Sequence, residues 1–335
     1  MTNTLNVRTW QSRSVLGIGE AMVEFAPTGG SAYRRGFAGD TLNTCWHMAQ
    51  LLGSNARVGY FTKVGVDAFS DQLVAFIEAS DMDAQRVLRD TERTLGLYVI
   101  NLTGAERSFT YWRDTSAARR LADDVSSLIE ATQGAGLIHV SGITLAVIGE
   151  LGRKNLIDAL GHARANGAVV SFDPNVRMRL WRDAAELRSA TQALLAVVDI
   201  ALPSFDDEAL VWGDASPEAT LTRFENAGVA EIVVKNGASD VAYSVAGLRG
   251  GSPTPVVTNL VDTTGAGDSF NSGYLAARLV GMDPLAACEL GQRVAGEVIG
   301  HPGALAPKDA LLAVRRLIGA CATNPTAGSG ELHGA

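Results

Sequence analysis

One glycine-rich segment near the carboxyl end of the chain holds the residues best suited to catalysis. It runs from Asp262 to Gly273, reads DTTGAGDSFNSG, and continues with apolar residues at helical spacing. A Gly-x-Gly turn that leads into a helix exposes backbone N–H groups at the positive end of the helix dipole, which favours phosphate. Asp268 lies in the first turn of this helix, where we expect its carboxylate to be ionised. A carboxylate beside a phosphate site can deprotonate an attacking hydroxyl, so the segment predicts phosphoryl transfer, with simple stabilisation of the helix as the alternative role of Asp268.

Other nucleotide-binding and catalytic motifs are missing from the sequence. There is no G-x-x-x-x-G-K-[ST] segment, which excludes a P-loop protein. Gly17-Ile18-Gly19 is followed by Met22 where a dinucleotide-binding fingerprint requires a third glycine. H-E-x-x-H and G-x-S-x-G are also absent. The glycine-rich segment therefore belongs to another kind of phosphate site.

The elements that position this segment alternate between strands and helices. From about Gly136 onward, the apolar runs LIHVSG, AVVSFDPN, DIALPS and EIVVKNG are separated by helical stretches. This rhythm predicts right-handed βαβ units and a mainly parallel sheet. Two β-rich runs, 95–102 and 107–113, are joined by a hairpin signal and do not fit it. We therefore expect an α/β layer with a small β appendage, and an earlier helix capped by Asp40 or Thr41.

The composition describes an acidic protein with a large core. The 335 residues include 28 Lys and Arg against 36 Asp and Glu, a net charge of −8. With 47% apolar and 19% charged residues, a disordered or fibrous protein is excluded. The acidic balance gives no overall attraction for nucleic acid or for an anionic membrane. Three widely spaced cysteines, a polar N-terminus and no long apolar run indicate a reduced, cytoplasmic protein without a membrane span.

Two motifs, taken in their order along the chain, resemble the signatures of the PfkB, or ribokinase-like, carbohydrate kinases. The glycine-rich segment is similar to their C-terminal signature, and AGDTLN at 38–43 is similar to their N-terminal one. The resemblance covers residues 14–315 as one kinase domain, with loose tails expected at 1–13 and 322–335. It implies a ribokinase-like α/β fold: a doubly wound, mainly parallel sheet flanked by helices, with a small β-sheet lid formed by about 21–36 and 94–113. ATP, Mg²⁺ and phosphoryl transfer to a sugar hydroxyl are implied with it.

The same resemblance implies roles for individual residues. Asp268 would be the proton acceptor, and the N–H groups of Gly265, Ala266 and Gly267 would form an anion hole for the transferring phosphoryl group. The implied ATP contacts are Asn175, Lys235, Gly237, Gly265, Gly267, Gly303 and Ala304.

The metal site departs from the family pattern. The family's Asn-x-x-Glu element, which organises Mg²⁺, is replaced here by PSFDDE at 203–208, so either Glu208 or Asp207 could serve. Asp262 stands where the family often has a monovalent-cation site, for example for K⁺, and it could equally cap a Thr turn.

Further strings, among them YWR at 111–113 and DPNVR at 173–177, resemble the 2-keto-3-deoxygluconate kinases within this family. The reaction implied is ATP-dependent phosphorylation of the C6 hydroxyl of 2-dehydro-3-deoxy-D-gluconate. The residues implied to contact this sugar acid are Gly39, Asp40, Asn43, Tyr111, Arg113 and Arg177.

A carboxylate-bearing substrate also suits the spacing of Tyr111 and Arg113. Two residues apart on a strand, they face the same side and could clamp a carboxylate, unless Arg113 pairs with a neighbouring acid such as Asp114. Fructose or another ketose, the galactonate epimer, and a non-catalytic sugar-binding protein are the alternatives.

Several other conspicuous residues are expected to be structural. We expect His139 and Cys45 in the core and Trp112 in the packing of the lid. An exposed β edge bearing Tyr33, Phe37 and Tyr98 could join two subunits, so a homo-oligomer formed through the lid is a further expectation.

Overall fold

The computed structural model describes residues 13–103 and 106–323, and its largest element is a sheet of eight strands. These strands are β1 (Ser14–Ile18), β4 (Arg57–Phe61), β9 (Leu137–Ser141), β10 (Val169–Asp173), β11 (Ile200–Ala201), β12 (Glu231–Val234), β13 (Val241–Val245) and β14 (Leu248–Ser252). They lie in the order β14-β13-β12-β11-β10-β9-β1-β4. All neighbours from β12 to β4 run parallel, which confirms the expected sheet, whereas β13 and β14 form an antiparallel edge that the sequence did not predict.

A smaller four-stranded sheet stands apart from the main one. Its strands are β2 (Met22–Gly29), β3 (Ala32–Ala38), β7 (Gly96–Thr103) and β8 (Glu106–Trp112). The two hairpins β2–β3 and β7–β8 join through the parallel pair β2–β7, giving the order β3-β2-β7-β8. This small sheet is the expected β appendage. A third sheet consists of two short strands, β5 (Lys63–Val64) and β6 (Leu88–Arg89).

Helices cover both faces of the main sheet. They are α1 (Asp40–Leu52), α2 (Ala68–Ala79), α3 (Val125–Thr132), α4 (Gly142–Ala165), α5 (Ala184–Leu195), α6 (Phe205–Trp212), α7 (Pro217–Asn226), α8 (Ala266–Leu279), α9 (Pro284–Ile299) and α10 (Leu312–Thr323). One apolar core packs the sheet against α1, α2, α8, α9 and α10, and a second packs its other face against α3 to α7. Strands buried on both faces read as continuous apolar runs, which is why they were recognisable in the sequence.

Polar residues occupy the N-cap position of most of the helices, and α1 is an exception. Asp67 caps α2 by accepting from the N–H groups of Phe69 and Ser70. The first turn of α1 has Gly39 at its N-cap position and no side-chain cap, although we expected Asp40 or Thr41 to cap it. Asp40 instead faces the cavity described below, so its carboxylate is available to the site.

The expectation of a core position is confirmed for two residues, and the expected positions of three residues of the small sheet are wrong. Cys45 and His139 are buried, with His139 Nδ1 2.9 Å from Ser171 Oγ. Trp112 is 58% exposed rather than packed in the small sheet, because its side chain lies on the face opposite Tyr111. Phe37 and Tyr98, expected at an exposed edge, are both buried.

Of the expected tails, residues 1–12 and 324–335 lie outside the described part of the chain, and helix α10 continues as far as Thr323. Among the described helices, none combines the length and apolar character needed to cross a bilayer.

Candidate active site

A cavity of about 800 Å³ lies between the carboxyl ends of the parallel strands and the inner face of the small sheet. The N-termini of α1 and α8 point into it, which brings both signature motifs to one place. All the expected substrate residues line it: Gly39, Asp40, Asn43, Tyr111, Arg113 and Arg177. Of the expected ATP contacts, Asn175, Lys235, Gly265, Gly267 and Ala304 line it as well.

A second cavity of about 420 Å³ adjoins the first. Lys235, Ala266 and Gly267 line both cavities, so the glycine turn marks their junction. Gly237 lines only the smaller one, whose walls combine apolar side chains of α8, α9 and α10 with the polar Gln292, Arg293 and Glu297 of α9. A polar junction beside a partly apolar chamber suits a phosphate chain attached to a flat ring.

The glycine turn is shaped by close approach and by backbone conformation. Gly265 has φ 75°, and a Cβ there would lie 2.8 Å from the Cβ of Ala304. Among the described residues, no acceptor takes the N–H groups of Gly265 or Gly267. The N–H of Ala266, however, donates to the carbonyl of Thr263 at 3.2 Å, so this member of the expected anion hole is already used within the turn.

Asp262 fixes the loop that precedes the turn. Its Oδ1 accepts from the N–H and the hydroxyl of Thr264, at 3.0 and 2.8 Å. Its Oδ2 accepts from the N–H of Gly303 at 2.6 Å, which ties the Gly303 loop to the turn. The Thr-turn cap is therefore the role that the geometry gives Asp262.

Asp268 lines the larger cavity beside the glycine turn and is held there by helix α1. Its Oδ2 accepts from Asn43 Nδ2 at 2.8 Å, and its backbone carbonyl accepts from the hydroxyl of Thr44. Burial, and then the negative charge of Asp40, raise the pKa of Asp268 well above that of an ordinary carboxyl group, and the Asn43 hydrogen bond opposes this shift. Desolvation and the neighbouring Asp40 therefore oppose the ionisation that we expected at this helix terminus, and the charge state of Asp268 stays a prediction.

A buried hydrogen-bond network links the carboxyl end of strand β10 to helix α8. Asp173, at the end of β10, accepts through Oδ2 from Lys235 Nζ at 2.9 Å and from Asn271 Nδ2 at 2.6 Å. Lys235 Nζ also donates to Asn271 Oδ1 at 3.1 Å. Asn175 Nδ2 donates to Asp40 Oδ2 at 2.8 Å, which places Asn175 on the side of Asp40. The network holds the lysine ammonium beside Gly267 at the junction of the cavities.

The inner face of the small sheet carries stacked aromatic rings. Tyr111 stacks on Tyr98 with ring centroids 5.5 Å apart, and Phe109 lies against both. The Tyr98 hydroxyl donates to the buried carboxylate of Glu24. This arrangement gives the cavity a fixed aromatic wall.

The arginines that face this wall differ in their partners. Arg113 is buried and forms an ion pair with Glu20, whose other oxygen accepts from Ser116 Oγ at 2.6 Å. The expected competition for Arg113 is therefore real, although its partner is Glu20 rather than Asp114. Arg177 donates to the carbonyl of Val176 at 2.7 Å. Arg179 lies over the Tyr111 ring, with Cζ 4.0 Å from the centroid.

The two candidate metal ligands are separated by the structure. Asp207 lines the larger cavity; burial raises its pKa, and the nearby Arg177 opposes that shift. Glu208 points away from the cavity and pairs with Arg223, and burial raises its pKa to about 7. Within the described residues there is no cluster of three or more His, Cys, Asp or Glu side chains that could hold a metal alone.

Sequence reasoning missed four residues of the site: Glu20, Asp173, Asn271 and Arg179. Asp173 stands at the carboxyl end of a predicted strand, and Asn271 follows Asp268 by three residues on one helix face, so both had a positional signal. Glu20 and Arg179 had no positional signal in the sequence that distinguishes them from ordinary charged surface residues.

Comparison with known proteins agrees with this geometry. A model of the pfkB family carbohydrate kinases matches residues 12–311. The 2-dehydro-3-deoxygluconokinase of Escherichia coli strain K12 is 38% identical over 308 residues, covering 90% of this chain and 99% of that protein. A fructokinase of Vibrio alginolyticus is 29% identical, covering 77% and 81%.

Solved structures share the fold. A ribokinase II from E. coli in complex with ATP and Mg²⁺ superposes with a TM-score of 0.78 at 24% identity, covering 92% of this chain and 99% of that one. A 2-dehydro-3-deoxygluconokinase from Thermotoga maritima superposes with a TM-score of 0.78 at 20% identity, covering 91% and 99%.

Proposed function

Since the chain belongs to the pfkB family of carbohydrate kinases, we propose that it transfers the γ-phosphoryl group of ATP to the C6 hydroxyl of 2-dehydro-3-deoxy-D-gluconate. Relatives 35% to 38% identical over most of the chain carry the name of that activity, which supports a sugar acid over a neutral ketose. The observation that carries the chemistry is Asp268, which Asn43 holds in the larger cavity next to the open N–H groups of the glycine turn.

The two substrates bind mainly in different cavities. The sugar acid binds in the larger one, against Gly39, Asp40, Asn43 and the wall that includes Tyr111. ATP binds with its base in the smaller one, beside Gly237, and with its phosphates at the junction near Lys235. The remaining proposed nucleotide contacts are Asn175, Gly265, Gly267, Gly303 and Ala304. Residues 14–315 act as one kinase domain, and the small sheet is the lid that closes over the sugar and excludes water.

The reaction needs one proton acceptor and stabilisation of charge. The C6 oxygen forms a bond to the γ-phosphorus as the bond from that phosphorus to the β–γ bridging oxygen breaks, and ADP leaves with the electron pair. Asp268 takes the hydroxyl proton on its carboxylate, which requires it to be unprotonated beforehand. The N–H groups of Gly265 and Gly267 and the ammonium of Lys235 stabilise negative charge on the phosphoryl oxygens.

The donor set at the junction fits a magnesium ion delivered with ATP. Mg²⁺ in kinases is usually held by one or two carboxylates together with substrate phosphates and water, and Asp207 supplies such a carboxylate in the larger cavity. When bound, the ion neutralises charge on the phosphates. Glu208 is left out of this proposal, because it faces Arg223 and lies outside the cavity lining.

The experiment that tests the function is an ADP-release assay with Mg-ATP and four acceptors. The acceptors are 2-dehydro-3-deoxygluconate, its galactonate epimer, fructose and ribose. Selective turnover of the gluconate-derived acid supports the proposal, whereas preference for fructose or ribose replaces it with a neutral-sugar kinase. Sugar binding without turnover of any acceptor would indicate the non-catalytic alternative. Exchange of Na⁺ for K⁺ in the same assay tests the monovalent cation.

Location and assembly complete the proposal. A kinase that uses ATP acts where ATP is regenerated, so we place the protein in the cytoplasm.

We also propose a homo-oligomer whose subunits meet through the outer side of the small sheet, where Tyr33 is 47% and Trp112 58% exposed. Light scattering of the purified protein tests this assembly.

A further inference from the structure

The loop that follows strand β10 contacts acidic residues from two separate parts of the chain. Asn175 Nδ2 donates to Asp40 Oδ2 at 2.8 Å. The next backbone N–H, that of Val176, donates to Asp207 Oδ2 at 3.1 Å. Asp40 belongs to α1 and is a proposed sugar contact, whereas Asp207 belongs to α6 and is the proposed Mg²⁺ ligand. Two adjacent residues of one loop therefore touch acids that serve different substrates.

The backbone conformation of Asn175 allows both contacts to form. Its φ is 34°, in the left-handed region that residues with a side chain rarely adopt. The turn directs the side-chain amide of Asn175 to Asp40, while the following N–H points to Asp207. Asparagine is one of the few residues that tolerate this conformation, because its short polar side chain can form local hydrogen bonds. A left-handed residue that its neighbours hold in place beside a cavity is typical of a functional constraint.

The loop is fixed by buried residues on its other side. The N–H of Asn175 donates to Asp173 Oδ1 at 3.1 Å, and Asp173 Oδ2 accepts from Lys235 Nζ at 2.9 Å. The carbonyl of Pro174 lies against the first residue of α4, Gly142, where a Cβ would overlap it. Proline also fixes its own φ. The sheet edge and α4 therefore set the position of Asn175 before any ligand binds.

Asp40 needs a partner that holds it from outside its own helix. Its Oδ1 accepts only a local hydrogen bond, from the N–H of Thr41 at 2.9 Å. Its charge lies close enough to Asp268 to raise the pKa of that carboxyl group, so the two carboxylates repel each other when both are ionised. Among the described residues, Asn175 is the one outside α1 that donates a hydrogen bond to Asp40. Loss of this donor would leave the repulsion from Asp268 unopposed.

We propose that Asn175 is a positioning residue, which holds Asp40 for the sugar and, through the turn it forms, holds Asp207 on the phosphate side. The inference rests on the proposed function and deepens it, since it explains how the sugar hydroxyl and the phosphates are kept in the spacing that transfer requires. Asn175 Oδ1 accepts from no described donor and is left for the proposed nucleotide contact. The position thus needs both a left-handed backbone and an amide donor. Glycine supplies only the first, and alanine supplies neither.

Two substitutions separate these requirements. Asn175→Gly keeps the turn and removes the donor, so we expect the dissociation constant of the sugar to rise about 10- to 100-fold. Calorimetry without nucleotide measures this constant free of any contact between Asn175 and ATP. At saturating ATP, the Mg²⁺ concentration for half-maximal activity should match that of the wild type, because the N–H of Val176 still reaches Asp207. Asn175→Ala also disfavours the turn, so this Mg²⁺ concentration should rise.

A double-mutant cycle shows whether Asn175 acts through Asp40. In an Asp40→Ala background, Asn175→Gly should weaken sugar binding less than about threefold, because the acceptor of the lost hydrogen bond is already missing. Ala246→Gly is the matched control for the backbone. Ala246 has φ 50° and lies between β13 and β14, outside both cavities, so its replacement should change neither sugar binding nor the Mg²⁺ requirement.

Wild-type sugar affinity in Asn175→Gly would overturn the inference, as would an equal loss of affinity in the Asp40→Ala background. A Mg²⁺ requirement that rises equally in Asn175→Gly and Asn175→Ala would overturn the role of the turn. If the wild type phosphorylates fructose and not the acid, the proposed function fails. The same variants measured with fructose then still test the role of Asn175.

Discussion

Replacement of Asp268 by asparagine is the sharpest test of the site, because the structure predicts opposite effects on activity and on stability. The two side chains have the same shape, and the oxygen of the introduced amide can still accept the hydrogen bond that Asn43 Nδ2 donates at 2.8 Å. An amide cannot accept the proton of the sugar hydroxyl. We therefore expect an intact site that lacks only its proton acceptor.

The size of the activity loss follows from the role of the carboxylate. General-base catalysis contributes about 100- to 10,000-fold, so kcat should fall by that factor while sugar affinity stays within about threefold. Since phosphoryl transfer passes through a loose transition state, some turnover from positioning by the glycine turn should remain.

Stability should move in the other direction at neutral and alkaline pH. Burial and Asp40 raise the pKa of Asp268 in the folded protein above its unfolded value. A group of this kind favours folding below the unfolded pKa, and the contribution is lost as pH rises through the folded pKa. Because the introduced amide stays neutral at every pH, the Asp268→Asn variant should have a melting temperature at pH 8 equal to or above that of the wild type.

The measurements are ADP release at saturating ATP and sugar, sugar binding by calorimetry, and thermal unfolding at pH 5 and pH 8. Asp206→Asn is the matched control, because it removes the same charge from a less buried residue of the cavity wall. Its kcat should change less than about fivefold. Retention of more than about a tenth of the wild-type kcat by Asp268→Asn would refute the assignment of the proton acceptor.

Three further results are expected. The acid limb of a kcat–pH profile should lie above the range of an ordinary carboxyl group, with activity rising as pH increases, because protonated Asp268 cannot accept a proton; a limb near pH 4 would contradict this. In a Mg²⁺ titration, the Asp207→Asn variant should require more metal for half-maximal activity, whereas the Glu208→Gln variant should behave like the wild type. The opposite result would identify Glu208 as the metal ligand. In urea unfolding, Gly265→Ala should lose about 2–4 kcal/mol through its positive φ and its clash, while Gly319→Ala, in open space within α10, should gain about 0.5–1 kcal/mol.

Features that the sequence predicted correctly depend on neighbours along the chain. The glycine turn, its helix and Asp268 fall within one short segment, and the parallel strands are recognisable as apolar runs. The alternation of side chains along a strand also places Tyr111 and Arg113 on one side, as both line the cavity.

What failed depends on contacts between distant residues. Glu20, which neutralises Arg113, is 93 positions away from it, and Asn43, which binds Asp268, is 225 positions away. The raised pKa of Asp268 has the same origin, because Asp40 comes from the other end of the chain. These contacts join residues far apart in the sequence. Local sequence patterns therefore could not predict the rise in the pKa of Asp268 or the ion-pair partner of Arg113.

The ion pair between Glu20 and Arg113 also bears on how such kinases can diversify. Glu20 precedes β2, the first strand of the small sheet, and Arg113 and Ser116 follow β8, its last strand. The joint that secures the small sheet is therefore built from residues outside the strands it secures. Changes confined to the two hairpins, residues 22–38 and 96–112, leave this attachment in place, so the surface that meets the sugar can vary while the small sheet stays joined to the rest of the site in the same way.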